Sequence, residues 1–398
     1  MTRQIDAAER RARLARRHRL LPALRTDDPV AIADDLVFLH SSDPVTVHLS
    51  ALLRMRAPSL HATEKALYDD HDLVRHHGMR RTLWVGSPGM CRVMHAAATR
   101  KLVAPERRRT AGLLAVNGVA DPEAWLDDAR SQVLAVLAEH GPMPARALGE
   151  RVPELRHKIV MAPGKSYSAT ISAHTRVLLA LGFEGALVRT RPTGSWISSE
   201  YTWASADDWV PGGLESGLTE REAAATLAQR WLRAFGPATT TDLQWWAGWT
   251  ATLTKHALAD AGAVPVELDE GPGWVAAGDE DPVDAVEPWV ALLPGLDPTV
   301  MGWKQRDFYL PAECDEVFDT NGNAGPTIWV DGRVVGAWAQ APDGEIRTLF
   351  LVDVPAAARD AVRQRAGELR EILGETRFTT RFPGRVQKVL LSPDTSRA

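Results

Sequence analysis

Histidine and cysteine have the broadest chemistry among the side chains of this sequence, because both bind metals and both act as acids, bases or nucleophiles. His71, His76 and His77 lie close together, but no spaced fourth ligand accompanies them. The only cysteines, Cys91 and Cys314, are far apart in the chain and do not suggest a disulfide framework. The histidine cluster is therefore only a weak indication of a metal site, and we expect neither a metal nor another cofactor.

A second candidate site combines a cation, a hydroxyl group and backbone amides. Lys165, Ser166 and Tyr167 stand at the start of a predicted helix over residues 167–181. The first amides of a helix have no partner within it, and the helix dipole favours anions there. The combination predicts a clamp for a phosphate group.

The elements that would position this clamp occur twice. Gly141-Pro142 and Gly236-Pro237 each follow a predicted amphipathic helix, and each is followed by a short helix, a second helix, a strand, a turn containing glycine and another strand. This order is typical of a winged helix, a helix-turn-helix module with a β-hairpin. We predict one unit at 121–212, with residues 167–181 as its recognition-position helix, and another at 213–286.

The two ends of the chain complete the predicted organisation. Residues 1–120 contain helices after Asp28-Pro29 and Asp43-Pro44 and a strand at 80–85, which fits a degenerate third winged-helix unit. Residues 287–398 change to strands, hairpins and a last helix at about 355–373, typical of a small α/β domain. The predicted fold class is mainly α with small β-hairpins (α+β), in which tandem winged-helix units surround a concave channel and a C-terminal α/β domain packs onto them.

Charge and hydropathy limit the location more than the function. The net charge of -5 does not favour nucleic-acid binding, but the charge is segregated: arginines concentrate in residues 10–25, and acidic residues concentrate in 267–287. No apolar run approaches the roughly 18–20 residues that span a bilayer, and the first residues do not form a secretory signal. We expect a cytoplasmic protein that is associated with the nucleoid when it is bound to DNA.

Several phrases of the sequence resemble one family in their order along the chain. They are Leu39-His40-Ser41-Ser42-Asp43-Pro44, Glu64-Lys65-Ala66-Leu67-Tyr68, the segment 73–83, the segment 235–246, Leu292-Leu293-Pro294-Gly295-Leu296-Asp297-Pro298 and Gly332-Arg333-Val334-Val335-Gly336. They are similar to the winged-helix DNA glycosylases of the AlkZ and YcaQ type. The resemblance implies a channel for double-stranded DNA and hydrolysis of the N-glycosidic bond of bulky N7-alkylated purines. Some members of that family also unhook interstrand crosslinks.

The resemblance assigns the catalytic positions to His40 and Ser42. Family members carry Gln-x-Gln or Gln-x-Asp there, so His40-Ser41-Ser42 departs from the signature at both positions. An alkylated purine is a good leaving group, and a histidine with a pKa near 6.5 could accept a proton from water while Ser42 holds that water. Alternatively, the departure marks a non-catalytic relative. Asp43 is more simply an N-cap, and His48 either lines the same pocket or is a partly exposed helix residue.

The resemblance also places basic residues beside the channel. Arg54, Arg56, Arg80 and Arg81 would contact phosphates, and Lys304 and Arg306 would reach the site from the C-terminal domain. For any one of them a solvated surface position is nearly as good an explanation. The tryptophans of the repeats could stack on a flipped base, but packing in the core is the better default.

Three functions remain open at this point. The first is a DNA repair glycosylase that acts as a monomer on alkylated or crosslinked double-stranded DNA. The second is a non-catalytic winged-helix protein that binds lesions or regulates transcription. The third is a protein that sequesters a genotoxin itself. Tandem, unequal units favour one monomer on one stretch of duplex over a dimer on palindromic half-sites.

Overall fold

In the computed structural model, helices alternate with small, mostly antiparallel sheets along the chain, so the predicted α+β class is confirmed. The structure describes residues 2–162, 164–165 and 168–392. No helix in this part of the chain is long and apolar enough to cross a membrane.

The N-terminal region contains six helices and four short strands. They are β1 (Arg3–Gln4), α1 (Ala7–Arg17), α2 (Pro29–Asp35), β2 (Leu39–His40), α3 (Pro44–Leu52), α4 (Leu60–Tyr68), β3 (Val74–His77), β4 (Leu83–Gly86), α5 (Pro88–Met94) and α6 (Arg100–Val116). The strand predicted at 80–85 begins three residues late, because Arg80 and Arg81 adopt positive φ angles of 55° and 61° in a 3₁₀ turn. A π-helical turn over 95–99 joins α5 to α6.

The second region has the predicted helices and strands, with one insertion. Its elements are α7 (Pro122–His140), β5 (Met143–Pro144), α8 (Ala145–Arg151), β6 (Lys158–Met161), β7 (Ala169–Ser172), α9 (His174–Glu184), β8 (Leu187–Pro192), β9 (Tyr201–Ser205) and α10 (Ala206–Trp209). The helix predicted at 167–181 begins only at His174, because the apolar and β-branched residues before it form the β6–β7 hairpin, in which Ile159 pairs with Ile171.

The third region follows the predicted order without an insertion. It consists of α11 (Glu220–Phe235), α12 (Thr240–Ala247), α13 (Ala251–Asp260), β10 (Val264–Leu268) and β11 (Gly271–Val275). Thr219 and Thr239 form capping boxes at the starts of α11 and α12. The N-terminal strand β1 pairs in parallel with β10, so the start of the chain completes this sheet.

The C-terminal region contains a four-stranded antiparallel sheet and three helices. The elements are β12 (Val290–Leu293), α14 (Pro298–Met301), β13 (Thr327–Val330), β14 (Arg333–Gln340), β15 (Ile346–Phe350), α15 (Ala356–Leu373) and α16 (Arg385–Leu390). Asp331 and Gly332, both with positive φ, form the predicted turn between β13 and β14.

One sheet combines strands of the N-terminal and second regions, and it positions side chains of the candidate site. Its six strands lie in the order β2-β4-β3-β8-β9-β5. Arg75 of β3 is the cross-strand partner of Arg189 of β8, and His40 of β2 is the partner of Trp84 of β4. Cross-strand partners share a face of the sheet, whereas successive residues alternate, so Arg75 and His40 belong to opposite faces.

Candidate active site

His40 ends strand β2 and lies against an aromatic ring. Its imidazole centroid is 4.6 Å from that of Trp84, its cross-strand partner, and the residue is 4% exposed. Trp84 in turn contacts Trp246 of α12, with centroids 6.1 Å apart. Residues from the N-terminal and third regions therefore enclose the imidazole from this side.

The protonation state of His40 follows from its surroundings. Burial, with a smaller contribution from the charge of Arg80, lowers the pKa of His40 to about 3. The backbone N–H of Ser42 donates to Nδ1 at 3.4 Å, which assigns the proton of the neutral ring to Nε2. The expectation of a titration near pH 6.5 is therefore wrong, and His40 is a neutral hydrogen-bond donor at Nε2.

The two serines of the motif, Ser41 and Ser42, have different environments. Ser41 is buried, and its Oγ accepts a hydrogen bond of 2.8 Å from Nε of Arg75. Ser42 is half-buried, and its hydroxyl has no hydrogen-bond partner among the described residues. Sequence reasoning missed Arg75, because only the pairing of β3 with β4 and β8 brings it behind the motif.

Asp43 is the N-cap of α3, as predicted. Its carboxylate accepts the backbone N–H of Val45 at 3.1 Å, and its other oxygen accepts the backbone N–H of Arg381 at 3.1 Å. The carboxylate is therefore occupied in holding α3 and the segment before α16.

His48 is buried, so the prediction of a partly exposed position is wrong. Its ring lies 5.4 Å from that of Trp196, and neither ring nitrogen has a hydrogen-bond partner in the described part of the chain. Burial, aided by the charge of Arg75, lowers its pKa to about 3. His48 is thus a neutral core residue.

Arg54 does not lie on the surface, which contradicts its assignment as a phosphate contact. Its side chain is fully buried and forms two hydrogen bonds with Asp297, at 2.8 and 2.9 Å. The turn that follows α3 places this side chain inside the protein, and the carboxylate neutralises its charge. Arg56, two residues later, is exposed and pairs with Asp27 at 3.3 Å.

Arg80 and Arg306 both lie near the ring of Trp245, and the charge of Arg80 acts on His40. The guanidinium of Arg80 lies 4.1 Å from the ring centroid of Trp245, and that of Arg306 lies 5.5 Å from it. Burial and the charge of Arg306 lower the pKa of Arg80. The structure thus brings together two of the predicted DNA contacts, and no carboxylate pairs with either within the described residues.

The loop that carries Lys304 and Arg306 is anchored by Asp242 of α12. One oxygen of this buried carboxylate accepts the backbone N–H groups of Lys304 and Gln305 at 2.9 and 2.8 Å. The other accepts the N–H and hydroxyl of Thr239. Lys304 itself is exposed. Asp242 belongs to one of the phrases shared with the family, and its function is to hold this loop.

The remaining predicted DNA contacts lie apart from these residues. Arg81 is exposed and pairs with Glu106 at 3.0 Å. Lys165 is exposed in the loop of the β6–β7 hairpin, and Ser166 and Tyr167 lie outside the described residues. Because α9 begins at His174, the predicted clamp is not at a helix N-terminus, and that part of the prediction is wrong.

The histidine cluster and the tryptophans have structural environments. His71 stacks on Trp209 at 3.9 Å, and Nε2 of His76 lies 3.0 Å from Nδ1 of His95. Within the described ranges no three or more histidine, cysteine or acidic side chains form a group that could hold a metal ion. Four of the five tryptophans of the repeats are buried, which confirms core packing for them: Trp196, Trp203, Trp246 and Trp249. The fifth, Trp245, is half-buried.

Comparison with known proteins gives two matches. The chain matches the model of a family described as DNA glycosylase AlkZ-like over residues 33–372. Among solved structures it is similar to the Streptomyces sahachiroi DNA glycosylase AlkZ, with a TM-score of 0.73 at 20% sequence identity, over 96% of this chain and 99% of that chain. At this identity the structural similarity shows the fold. The search of curated proteins gives no significant match.

Proposed function

Because the chain belongs to the AlkZ-like family of DNA glycosylases, we propose that it hydrolyses the N-glycosidic bond of bulky N7-alkylated purines in duplex DNA. We propose that it does so as a monomer, and that interstrand crosslinks between such purines are a second class of substrate. His40 and Ser42 are the residues to which we assign the chemistry.

The observation that carries this proposal is a neutral His40, whose Nδ1 accepts the backbone N–H of Ser42, beside a Ser42 hydroxyl that has no hydrogen-bond partner among the described residues. An N7-alkylated purine is already cationic, so its departure needs neither a strong acid nor a strong base. The Nε2–H group of His40 can donate to the departing purine or to a water molecule. The hydroxyl of Ser42 can accept a hydrogen bond from the same water and orient it toward the sugar carbon. His40 thereby replaces a glutamine, which also acts by orientation, and Ser42 replaces the glutamine or aspartate of the family signature.

The cations beside the motif support DNA as the substrate. Arg80, Arg306 and Lys304 have no carboxylate partner in the described part of the chain, so their charges are available to phosphate groups. Trp245 lies against the guanidinium of Arg80, and Phe318 lies against that of Arg306 at 4.2 Å, with Trp245 farther away at 5.5 Å. These ring contacts restrict the orientations of both cations before DNA binds. These contacts would fix the position of the duplex without reading its sequence.

One observation favours the alternative, a non-catalytic protein that binds lesions. His40 is only 4% exposed and is covered by Trp84, so a substrate reaches it only if Trp84 or the neighbouring loop moves. A protein that keeps the channel but carries neither residue of the family signature would have no need of access to this position.

A single assay separates the two functions. The protein is incubated with a duplex that carries one N7-methylguanine and with a second duplex that carries a bulky N7 adduct, and alkali then cleaves the strand at abasic sites. We expect cleavage by the wild type and a loss of about 100-fold or more in the H40A and S42A variants, because oriented polar groups contribute about this much. The matched control is H61A, which alters an exposed histidine on α4.

Two outcomes of this assay would contradict the proposal. If the wild type binds the adducted duplex but leaves no alkali-labile site, the non-catalytic alternative is correct. If H40A and S42A cleave as fast as H61A, the enzyme function stands and the assignment of its residues is wrong.

A further inference from the structure

Two arginines face each other across strands β3 and β8 with no acidic partner. Arg75 and Arg189 are cross-strand partners, and like charges in this position repel. Arg75 is buried and donates only to neutral oxygens, those of Ser41, Tyr68 and Thr190. No carboxylate pairs with either arginine within the described ranges.

Arg189 is the less satisfied of the two. Its guanidinium lies 4.9 Å from the ring centroid of Trp203 and 5.8 Å from that of Tyr201, and its buried Nε has no hydrogen-bond partner in the described part of the chain. Burial and the charges of Arg75 and Arg381 lower its pKa to about 10. A fold rarely keeps a desolvated cation of this kind without a compensating anion, because removal of the charge from water costs several kcal/mol.

A cavity opens directly onto Arg189. It has a volume of about 450 Å³, and its lining includes Arg189, Tyr201, Trp203, Arg146, Glu200, His174 and Thr175. The last two residues are the first turn of α9, which has no side-chain N-cap and no acidic residue in that turn. The free amides and the dipole of this helix therefore add to the positive potential of the cavity.

A second cavity continues from the first toward the catalytic motif. It has a volume of about 800 Å³, shares Ser199 with the first cavity, and is lined by Asp43, Arg377 and Arg381. The two cavities meet at Ser199 and form one groove, which is lined by four arginines (Arg146, Arg189, Arg377 and Arg381) and two carboxylates (Asp43 and Glu200). The excess of positive charge over two adjoining cavities fits a linear polyanion better than one small anion.

We propose that this groove binds the sugar–phosphate backbone of one DNA strand, with a phosphodiester group seated between Arg189 and the first turn of α9. The proposal rests on the DNA glycosylase function proposed above and adds a second track of DNA contacts, on the face of the six-stranded sheet opposite His40.

This contact would couple the backbone to the motif. Arg189 faces Arg75, and Arg75 holds Ser41, the central residue of His40-Ser41-Ser42, through a hydrogen bond of 2.8 Å. A phosphate on Arg189 would neutralise the cationic pair and fix the distance between one backbone position and the motif. Arg189 is therefore a positioning residue that acts through Arg75.

The test compares R189Q with R191Q by the salt dependence of their affinity for an undamaged duplex. Arg191 lies on the same strand but is exposed and pairs with Asp69 at 2.9 Å, so it serves as the matched control. We expect R189Q to bind the duplex about 5- to 50-fold more weakly at low salt. The magnitude of the slope of log K against log salt should fall by about one, which corresponds to one lost phosphate contact. R191Q should retain the wild-type slope.

A second arm changes the DNA instead of the protein. Neutral methylphosphonate linkages are placed one at a time along the duplex, and the wild type should lose affinity at one linkage at which R189Q shows no further loss. Because the loss at one linkage is measured with the wild type, this arm remains informative even if R189Q is less stable. R189K, which keeps the charge, should retain the sensitivity to that linkage.

The outcomes separate this inference from the proposed function. If the wild type binds DNA and R189Q has the slope and the methylphosphonate profile of the wild type, the inference is wrong and the function stands. If inorganic phosphate binds in an Arg189-dependent way but no linkage shows coupling, the cavity is a site for small anions and the inference is also wrong. If the wild type binds no DNA, the proposed function fails and the inference with it.

Discussion

Arg54 and Asp297 form a fully buried ion pair, with a shortest N–O distance of 2.8 Å, that connects the turn after α3 to the N-cap of α14. The same carboxylate accepts the hydroxyl of Ser50 and the backbone N–H of Thr299. Burial alone would raise the pKa of Asp297, but the Arg54 guanidinium and these hydrogen bonds hold it below its ordinary value. Asp297 belongs to one of the segments used to recognise the family, and its role in this ion pair is structural.

The first prediction concerns this pair. R54M leaves a buried carboxylate without its partner and should lower the free energy of unfolding by about 3–5 kcal/mol. The measurement is urea-induced unfolding, with R56M as the control on the exposed neighbour. The salt dependence of DNA binding by folded R54M should match the wild type, and a decrease in its slope would restore Arg54 as a phosphate contact.

The basic and acidic segments that are separate in the sequence contact each other in the fold. Arginines of α1 pair with the acidic segment far along the chain: Arg13 and Arg17 lie 3.1 and 2.6 Å from Asp279, and Arg10 pairs with Glu270. Composition reveals the two charged segments, but only the parallel pairing of β1 with β10 shows that they meet. Three arginines of this basic helix are therefore paired with carboxylates within the protein.

The elements themselves were largely predictable, because their signals are local. Pro at the first helical position and an acidic N-cap mark α2, α3 and α7, and the order of α11 to β11 follows from periodicity and turn residues. The candidate site was less predictable. Arg75, Trp84 and Arg189 reach it through strand pairs between residues that are distant in sequence, and no local pattern specifies such pairs.

The second prediction compares Arg80 with its neighbour Arg81. Arg80 stacks on Trp245 without a carboxylate partner among the described residues, whereas Arg81 pairs with Glu106. R80Q should therefore lower the affinity for duplex DNA by about 10-fold and reduce the salt slope by about one ion. R81Q should change both much less. Equal losses, measured by fluorescence anisotropy over a range of salt concentrations, would show that stacking does not select the contacting arginine.

The third prediction is the pH dependence of glycosylase activity. The neutral form of His40, with its pKa lowered to about 3, is fully populated above pH 5. Activity should therefore show no limb near pH 6.5 that depends on His40, and single-turnover rates from pH 5 to pH 8 should be flat apart from effects on DNA binding. An acidic limb with a midpoint near 6.5 would mean that DNA binding restores an ordinary histidine pKa and a role as general base. The H40Q variant, which restores a family residue at this position, should be active, and its single-turnover rate should be equally independent of pH.

The fourth prediction is acid sensitivity of the fold through His48. The folded state holds this histidine neutral, with a pKa of about 3, whereas the unfolded chain binds a proton near pH 6.5. The unfolded state is therefore stabilised as the pH falls below 6.5, and His48 should lower the free energy of unfolding by about 1.4 kcal/mol per pH unit between about pH 6 and pH 4.

The H48L variant removes this contribution without breaking a described hydrogen bond, because neither ring nitrogen has a partner within the described ranges. Urea unfolding of H48L at pH 7 and pH 5 should show a smaller loss on acidification than the wild type, while H61L, on the exposed face of α4, should follow the wild type. If H48L and the wild type lose equal stability, His48 is protonated or hydrated in the folded state.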